Sequence, residues 1–518
     1  MKKSIFLFNA LLLFLIFGIS VYLRKDNLNK PAGWVSAHTL ITLDIWDKEG
    51  IAHHHFSPVY TYTHPADKNI PFLGGVVDKN GNGYYVSYPP FAFLLPYFVF
   101  KLLGVTASSF ALNVFGVCIH FICALLLILI IYQEAGKSLT RDFFLPAFLA
   151  FAVYSLAQGN LWFHTNLYFC DMLVLLFFLS GIYFYRRMFG EDAGRINRLM
   201  LALSIFFAVY TEWLGIFLAV VLLSFEAMNM YRAKRLQPKL MLAIVLPTIL
   251  ALGLTFVQYS SVAGAKAFID ASRQKYLLRS GLDGEDGSEY GFSLNNPKSY
   301  AVLHDHYDLN YFSITNLLCW LLAFYLILCL FKKEYFFTRS QLVLLLLLAA
   351  PVVLHNLVFF NFNVVHDLGT LKTSVLFAFL IALITSRFLD FSKTYSPKIF
   401  LASGILLVML VGLKLYESSV HYQEKYSSDQ GEGIYERFGT FIRQTAPAQP
   451  TLFTNAIVVP ELVFQAKRNL VYAEKNEDVI LALKSMKRKD ALFYQLENGV
   501  PGSVIGLDSS GAVKIIRH

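Results

Sequence analysis

The sequence predicts an α-helical polytopic membrane protein of about eleven transmembrane helices with a small α/β extramembrane domain at its C-terminus. Three observations predict it. The 518 residues are 56% hydrophobic and only 15% charged, against ~45–50% and ~25% in ordinary soluble chains. Apolar runs recur along the chain, each close to the ~20 residues needed to cross ~30 Å of hydrocarbon, where an unpaired backbone group finds no water. The tail, residues 417–518, abandons these runs and alternates short apolar stretches with one helical pattern, and at about 100 residues it can bury a core of its own.

In chain order, Lys2 and Lys3 precede an apolar run over 5–23. It has no small-residue cleavage site and is long enough to span, so it reads as an uncleaved first helix with a cytoplasmic N-terminus. Residues 24–90 form a first external loop, polar and rich in aromatic residues, with Asp44, Asp47, Glu49, His38, His53, His54, His55 and His64, closing on Tyr88-Pro89-Pro90. The stretch 91–104 is too short to cross and is interrupted by Pro96. It reads as an interfacial helix started by the proline pair and ended at Gly104. Spans then fall at 109–132, 143–158, 168–185, 199–212, 213–230, 240–259, 314–331, 342–360, 371–386 and 399–416, and Thr211-Glu212-Trp213 turns what could be one long helix into a hairpin. On this count Lys137, Arg141, Arg186, Arg187, Arg195, Arg198, Arg232, Lys234, Arg235, Lys239, Lys332, Lys333, Arg339, Arg387, Lys393 and Lys398 all lie on the cytoplasmic side, as the positive-inside rule requires. The external side receives a loop at 260–312, a short turn at 361–370 and the tail, in which 451–454 and 469–472 read as strands and 478–486 as a helix.

The net charge of +9 sits in short clusters between apolar runs, so orientation in the membrane explains it better than nucleic acid does. All five cysteines lie in or beside apolar runs without ligand spacing and read as packing residues, with neither disulfide nor zinc. The run His53-His54-His55, in an extended segment, puts His53 and His55 on one face with no fixed partner. A divalent metal is the one cofactor left open.

Asp44, Asp171, Glu212, His366 and Asp367 gather at the external ends of spans, and few charges lie at mid-membrane. That distribution suits an enzyme working at the membrane surface. A pump would carry ionisable groups through the depth of its bundle.

The first two hundred or so residues resemble the GT-C glycosyltransferases, most closely the protein mannosyltransferase and aminoarabinose transferase branch. The likeness rests on the cytoplasmic first helix, an acidic residue in a long first external loop, Tyr88-Pro89-Pro90-Phe91 opening an amphipathic segment that ends Phe100-Lys101-Leu102-Leu103-Gly104, and the run from His164 to Asp171. The resemblance implies a sugar donor linked to polyprenyl phosphate, a hydroxyl acceptor on a lipid, glycan or protein, and transfer with inversion. It assigns Asp44 as the general base, since a hydroxyl is a poor nucleophile until a positioned carboxylate takes its proton, and gives Asp171 an assisting role. Relatives often carry an adjacent Asp-Glu pair, whereas here Ile45 and Trp46 separate Asp44 from Asp47. A leaving phosphate needs donors or cations, for which His366, Lys372, Arg273 and Arg279 are the candidates. His38 contacts phosphate or acceptor, or is an interfacial hydrogen-bonding residue. Tyr88 starts the interfacial helix and shapes the groove for the carrier lipid, and Glu212 belongs either to the site or to a hairpin turn. The expected location is a bacterial inner membrane with the tail in the periplasm. The rival readings are a lipid-linked glycan ligase or polymerase, a transporter or flippase for lipid-linked sugars, and a non-catalytic assembly protein.

Overall fold

The structure, a computed structural model, describes residues 2–23, 32–70, 75–134, 141–189, 194–233, 237–282, 292–332, 337–394, 396–426 and 433–517. Lys137, Lys234, Arg235 and Lys333 lie outside the described residues, as do 24–31 and 71–74 of the first polar stretch.

The elements in order are α1 (Lys2–Tyr22), α2 (Gly33–Glu49), β1 (Gly75–Val77), β2 (Gly83–Tyr85), α3 (Phe91–Leu103), α4 (Ser109–Glu134), α5 (Arg141–Leu156), α6 (Gln158–Thr165), α7 (Cys170–Arg187), α8 (Arg195–Thr211), α9 (Leu214–Ala233), α10 (Pro238–Ala263), α11 (Ala265–Ser280), α12 (Pro297–Lys332), α13 (Arg339–Val358), α14 (Phe360–Val365), α15 (Ser374–Lys393), α16 (Pro397–Tyr426), α17 (Ile434–Thr445), β3 (Thr451–Thr454), α18 (Pro460–Ala466), β4 (Leu470–Tyr472), α19 (Asn476–Ser485), β5 (Asp490–Glu497), β6 (Val500–Asp508) and β7 (Val513–Arg517). Among the described residues seven helical stretches are long and apolar enough to cross a membrane, and α5 with α6 makes an eighth if that bent pair is one span. Each segment expected to span falls mostly on helix, but 143–158 crosses the bend between α5 and α6 and 342–360 crosses the break at Phe359 between α13 and α14.

The chain forms two compact units, one of 1–25, 113–253 and 276–427, the other of 26–112, 254–275 and 428–518. The division differs from a simple cut at 416. Helix α16 runs on to Tyr426, and 297–312, expected as loop, is the first part of α12, a single helix of 36 residues. Residues 33–49, also expected as loop, are helix α2, whose Val35, Leu40, Ile41, Leu43, Ile45 and Trp46 are buried nearly all round it.

In the first unit α8 and α9 form the hairpin predicted at Thr211-Glu212-Trp213. Gly215 makes it possible, because a Cβ there would lie 2.3 Å from the backbone of Ala208 and Val209. Gly215→Ala is expected to destabilise the unit by about 1–3 kcal/mol, read as a lowered unfolding temperature in detergent.

Helices α5 and α6 meet at Ala157 with a bend of 60°. Backbone groups released by such a break need replacement partners inside a bilayer, and side chains supply them. Ser418 accepts from the Gln158 amide at 2.8 Å, and the Tyr154 carbonyl accepts from Asn160 at 2.6 Å and lies 3.1 Å from His120 Nε2. Tyr311 in turn donates to Asn160 at 2.7 Å.

In the second unit a five-stranded sheet runs β4-β3-β5-β6-β7, with β4, β3 and β5 parallel and β5, β6 and β7 antiparallel. Phe438 and Ile442 of α17 and Leu462 of α18 pack on one face, and Val479 and Leu483 of α19 pack on the other. The first polar stretch is stitched to this sheet module. Arg468 Nε donates to both oxygens of the buried Asp67 at 2.9 and 3.0 Å. The Asn469 amide imitates a strand neighbour, accepting from the Tyr62 N–H at 2.8 Å and donating to the Tyr60 carbonyl at 3.2 Å.

Burial pushes the Glu461 carboxyl up from 4.5 to about 7. The unfolded chain gives up that proton near pH 4.5 and the folded chain holds it to about 7, so the folded state binds more protons between these values and loses stability as pH rises through them. Glu461→Gln is expected to flatten that slope, worth up to about 3 kcal/mol, in denaturation followed from pH 4.5 to 7.

Candidate active site

The nine residues singled out above fall into two sets, one in each unit. In the second unit, α2 ends where Gly50 takes φ +87, and its buried faces leave Asp44, Asp47 and Lys48 on the outer side. Asp44 Oδ2 is 3.0 Å from Lys48 Nζ and 3.1 Å from Lys467 Nζ. Asp47 pairs with Lys101 of α3. Both carboxylates line a cleft of about 240 Å³ with Tyr97, Lys101 and Thr106, and Trp46 meets Tyr97 edge to face at 5.5 Å. This lining combines an anionic oxygen pair, neighbouring ammonium groups and an aromatic face.

His38 serves a different surface. Its ring stacks on Tyr60 at 4.5 Å and Tyr85 at 5.7 Å and lines a second cleft, of about 400 Å³, with Asn469 and Tyr472. Burial pushes its imidazole down to about 3, so it is neutral at physiological pH. Tyr88 is buried, and its carbonyl accepts from Tyr259 at 2.5 Å. Arg273 is exposed on α11.

The histidine run is a 3-10 turn, Ile51–His54, rather than an extended segment, and His54 is buried between Tyr84 at 2.9 Å and Glu49 at 3.2 Å. Among the described residues no three His, Cys, Asp or Glu side chains are grouped to hold a metal ion.

In the first unit four elements deliver four ionisable side chains to one fully buried point. Asp171 lies in the first turn of α7, Glu212 joins α8 to α9, His355 lies in the last turn of α13, and Lys372 occupies the 3-10 turn Asp367–Thr373 before α15. Lys372 Nζ is 2.6 Å from Asp171 Oδ1 and 3.5 Å from Glu212 Oε1, and His355 Nε2 is 2.8 Å from the same Glu212 oxygen. Glu212 Oε2 accepts from the Leu214 amide at 2.7 Å, capping α9 with a charge where the helix dipole favours an anion. The turn holding Lys372 depends on Gly369, where a Cβ would sit 2.0 Å from Asn363 Oδ1. Asp171 Oδ2 and His355 Nδ1 are buried without a hydrogen-bond partner among the described residues.

Two further candidates share one aromatic ring. The Arg279 guanidinium lies over Phe362 at 4.9 Å, and the His366 ring meets Phe362 edge to face at the same distance.

Sequence reading found Asp44 in one set and Asp171, Glu212, Lys372, Arg279 and His366 in the other, and the structure brings those five to neighbouring elements of the first unit. It missed His355, whose signal was a histidine inside the apolar run 342–360. It also missed Lys467, which no local pattern connects to Asp44.

A set of long apolar helices and a small sheet module near the C-terminus are the features on which the chain compares with known proteins. No family model matches the chain, and no curated protein matches it in sequence. Solved structures do match. The oligosaccharyltransferase AglB of Archaeoglobus fulgidus, solved with an inhibitory peptide and a dolichol-phosphate, superimposes with a TM-score of 0.58 at 11% identity, over 99% of this chain and 74% of its own. ArnT of Cupriavidus metallidurans, bound to undecaprenyl phosphate, gives 0.57 at 10% identity, over 96% of this chain and 94% of its own. Both are membrane glycosyltransferases of the GT-C superfamily.

Proposed function

We propose that the chain is a glycosyltransferase that moves a sugar from a polyprenyl-phosphate-linked donor to a hydroxyl on a lipid, glycan or protein. The observation that carries this reading is the disposition of Asp44 at its cleft. Both ammonium groups sit on Oδ2, which leaves Oδ1, unengaged by any described residue, to receive a proton. Asp44 Oδ1 takes the acceptor proton as the acceptor oxygen bonds to the anomeric carbon. The bond from that carbon to the phosphate oxygen breaks on the opposite side, the configuration inverts, and polyprenyl phosphate leaves with the electron pair. Arg273, in the same unit as Asp44, is the cation assigned to the phosphate. In the first unit Asp171, Glu212 and Lys372 tie helix ends together, with the Lys372 ammonium engaged by the two carboxylates.

The reading places the N-terminus in the cytoplasm, and the cleft and sheet module on the periplasmic side of a bacterial inner membrane. It is supported by the likeness of fold to two enzymes solved with polyprenyl-type phosphates. The test is movement of label from radiolabelled undecaprenyl-phosphate hexoses and pentoses into the acceptor fraction of membranes carrying wild type or Asp44→Asn. Equal transfer by both overturns the assignment.

A second reading, a lipid-linked glycan ligase or polymerase, is favoured by the convergence of Arg279 and His366 on Phe362. Loss of transfer in His366→Ala or Arg273→Ala, with Asp44→Asn still active, would select it.

A further inference from the structure

The sheet module contributes a side chain that holds Asp44 of the cleft. Lys467 ends helix α18, and its Nζ reaches Asp44 Oδ2 at 3.1 Å. Three features mark this contact as built. Lys467 has φ +52, a left-handed conformation in which helix ends ordinarily place glycine, so a lysine there sits against backbone strain. Its ammonium lies 3.6 Å from the centre of the Phe464 ring, which fixes the direction of the side chain. It also shares its carboxylate oxygen with Lys48, itself one turn along α2 from Asp44.

We infer that Lys467 is a positioning residue for sugar transfer: with Lys48 it pins Asp44 Oδ2 and so presents Oδ1 to the acceptor hydroxyl. The inference rests on the glycosyltransferase reading and on Asp44 as the base. A carboxylate held by one ammonium can rotate about its terminal torsion. One held from two directions, by α2 itself and by the sheet module, cannot exchange its oxygens without breaking an ion pair. The sheet module thereby orients the base that lines the cleft.

The experiment uses the full chain in nanodiscs with a radiolabelled undecaprenyl-phosphate sugar that wild type turns over. Lys467→Met is expected to lower kcat about tenfold with donor KM unchanged, and Lys467→Arg to retain most of the activity. Lys467→Gly is the discriminating variant. It relieves the left-handed backbone and should unfold at or above the wild-type temperature, yet lose as much kcat as Lys467→Met. In an Asp44→Asn background the Lys467→Met change is expected to have no further effect.

Full kcat in Lys467→Gly or Lys467→Met overturns the inference. So does a loss in Lys467→Met that tracks a fall in unfolding temperature and is recovered in Lys467→Gly, because that pattern belongs to a purely structural contact. Undiminished transfer by Asp44→Asn fails the underlying reading instead, and is seen in that variant alone before any change at Lys467 is made.

Discussion

Asp44→Asn is expected to lower kcat for sugar transfer by about 10²–10⁴-fold, the range that a positioned general base contributes. Donor KM and unfolding temperature should stay near wild type. The asparagine keeps the shape of the side chain, and its carbonyl can still accept from Lys48 and Lys467, so the two contacts on that oxygen persist. The capacity to take a proton is removed, together with the charge of two partly exposed ion pairs that are worth little in stability, and an interaction made in the transition state alone shows as equal losses in kcat and kcat/KM. Steady-state transfer from labelled donor, with thermal unfolding in detergent as the control, separates this outcome from misfolding.

Lys372→Met is expected to act on stability first. The ammonium is fully buried between Asp171 and Glu212, and removing it leaves two carboxylates and an imidazole in the interior with no cation to balance them. Breaking a buried pair in this way costs about 3–5 kcal/mol, because the remaining charge stays desolvated. Asp171→Ala should cost less, because Lys372 keeps Glu212 as its counter-charge. The double variant Lys372→Met with Asp171→Asn should recover part of the loss, since it removes one charge of each sign. Unfolding in detergent and the yield of folded protein from membranes measure all three, and additive losses in the double variant would show that the residues do not act as a pair.

The fold was largely legible because the bilayer permits few solutions. A chain this apolar must satisfy its backbone within helices, and length alone then places them, as with α4, α10 and α16. The sheet module was legible from its alternating stretches, which are β3 and β4. Helix α2 was not. Its sequence mixes Thr39, Thr42, Asp44 and Asp47 with apolar residues in no single stripe, because it is buried on most sides by tertiary contacts that no periodicity expresses.

The charged residues of the site were legible one at a time, since a carboxylate or ammonium at the end of a span is expensive and therefore conspicuous. Their grouping was not. Lys372 meets Asp171 across 201 positions of chain, a pairing set by helix packing. Lys372 was expected to face phosphate and is found held by two carboxylates.

The bend at Ala157 has a consequence for the order of synthesis. The hydroxyl that takes up the Gln158 amide belongs to Ser418, 260 residues later. A ribosome adding roughly 5–20 residues per second needs on the order of 10–50 seconds to reach it. Throughout that interval the amide at the bend lacks its eventual partner, so α5 and α6 cannot settle into their final geometry until α16, the last long helix of the bundle, has emerged and docked. A chain stopped short of Ser418 would leave that amide unmatched, which makes late truncations harmful far upstream of where they fall.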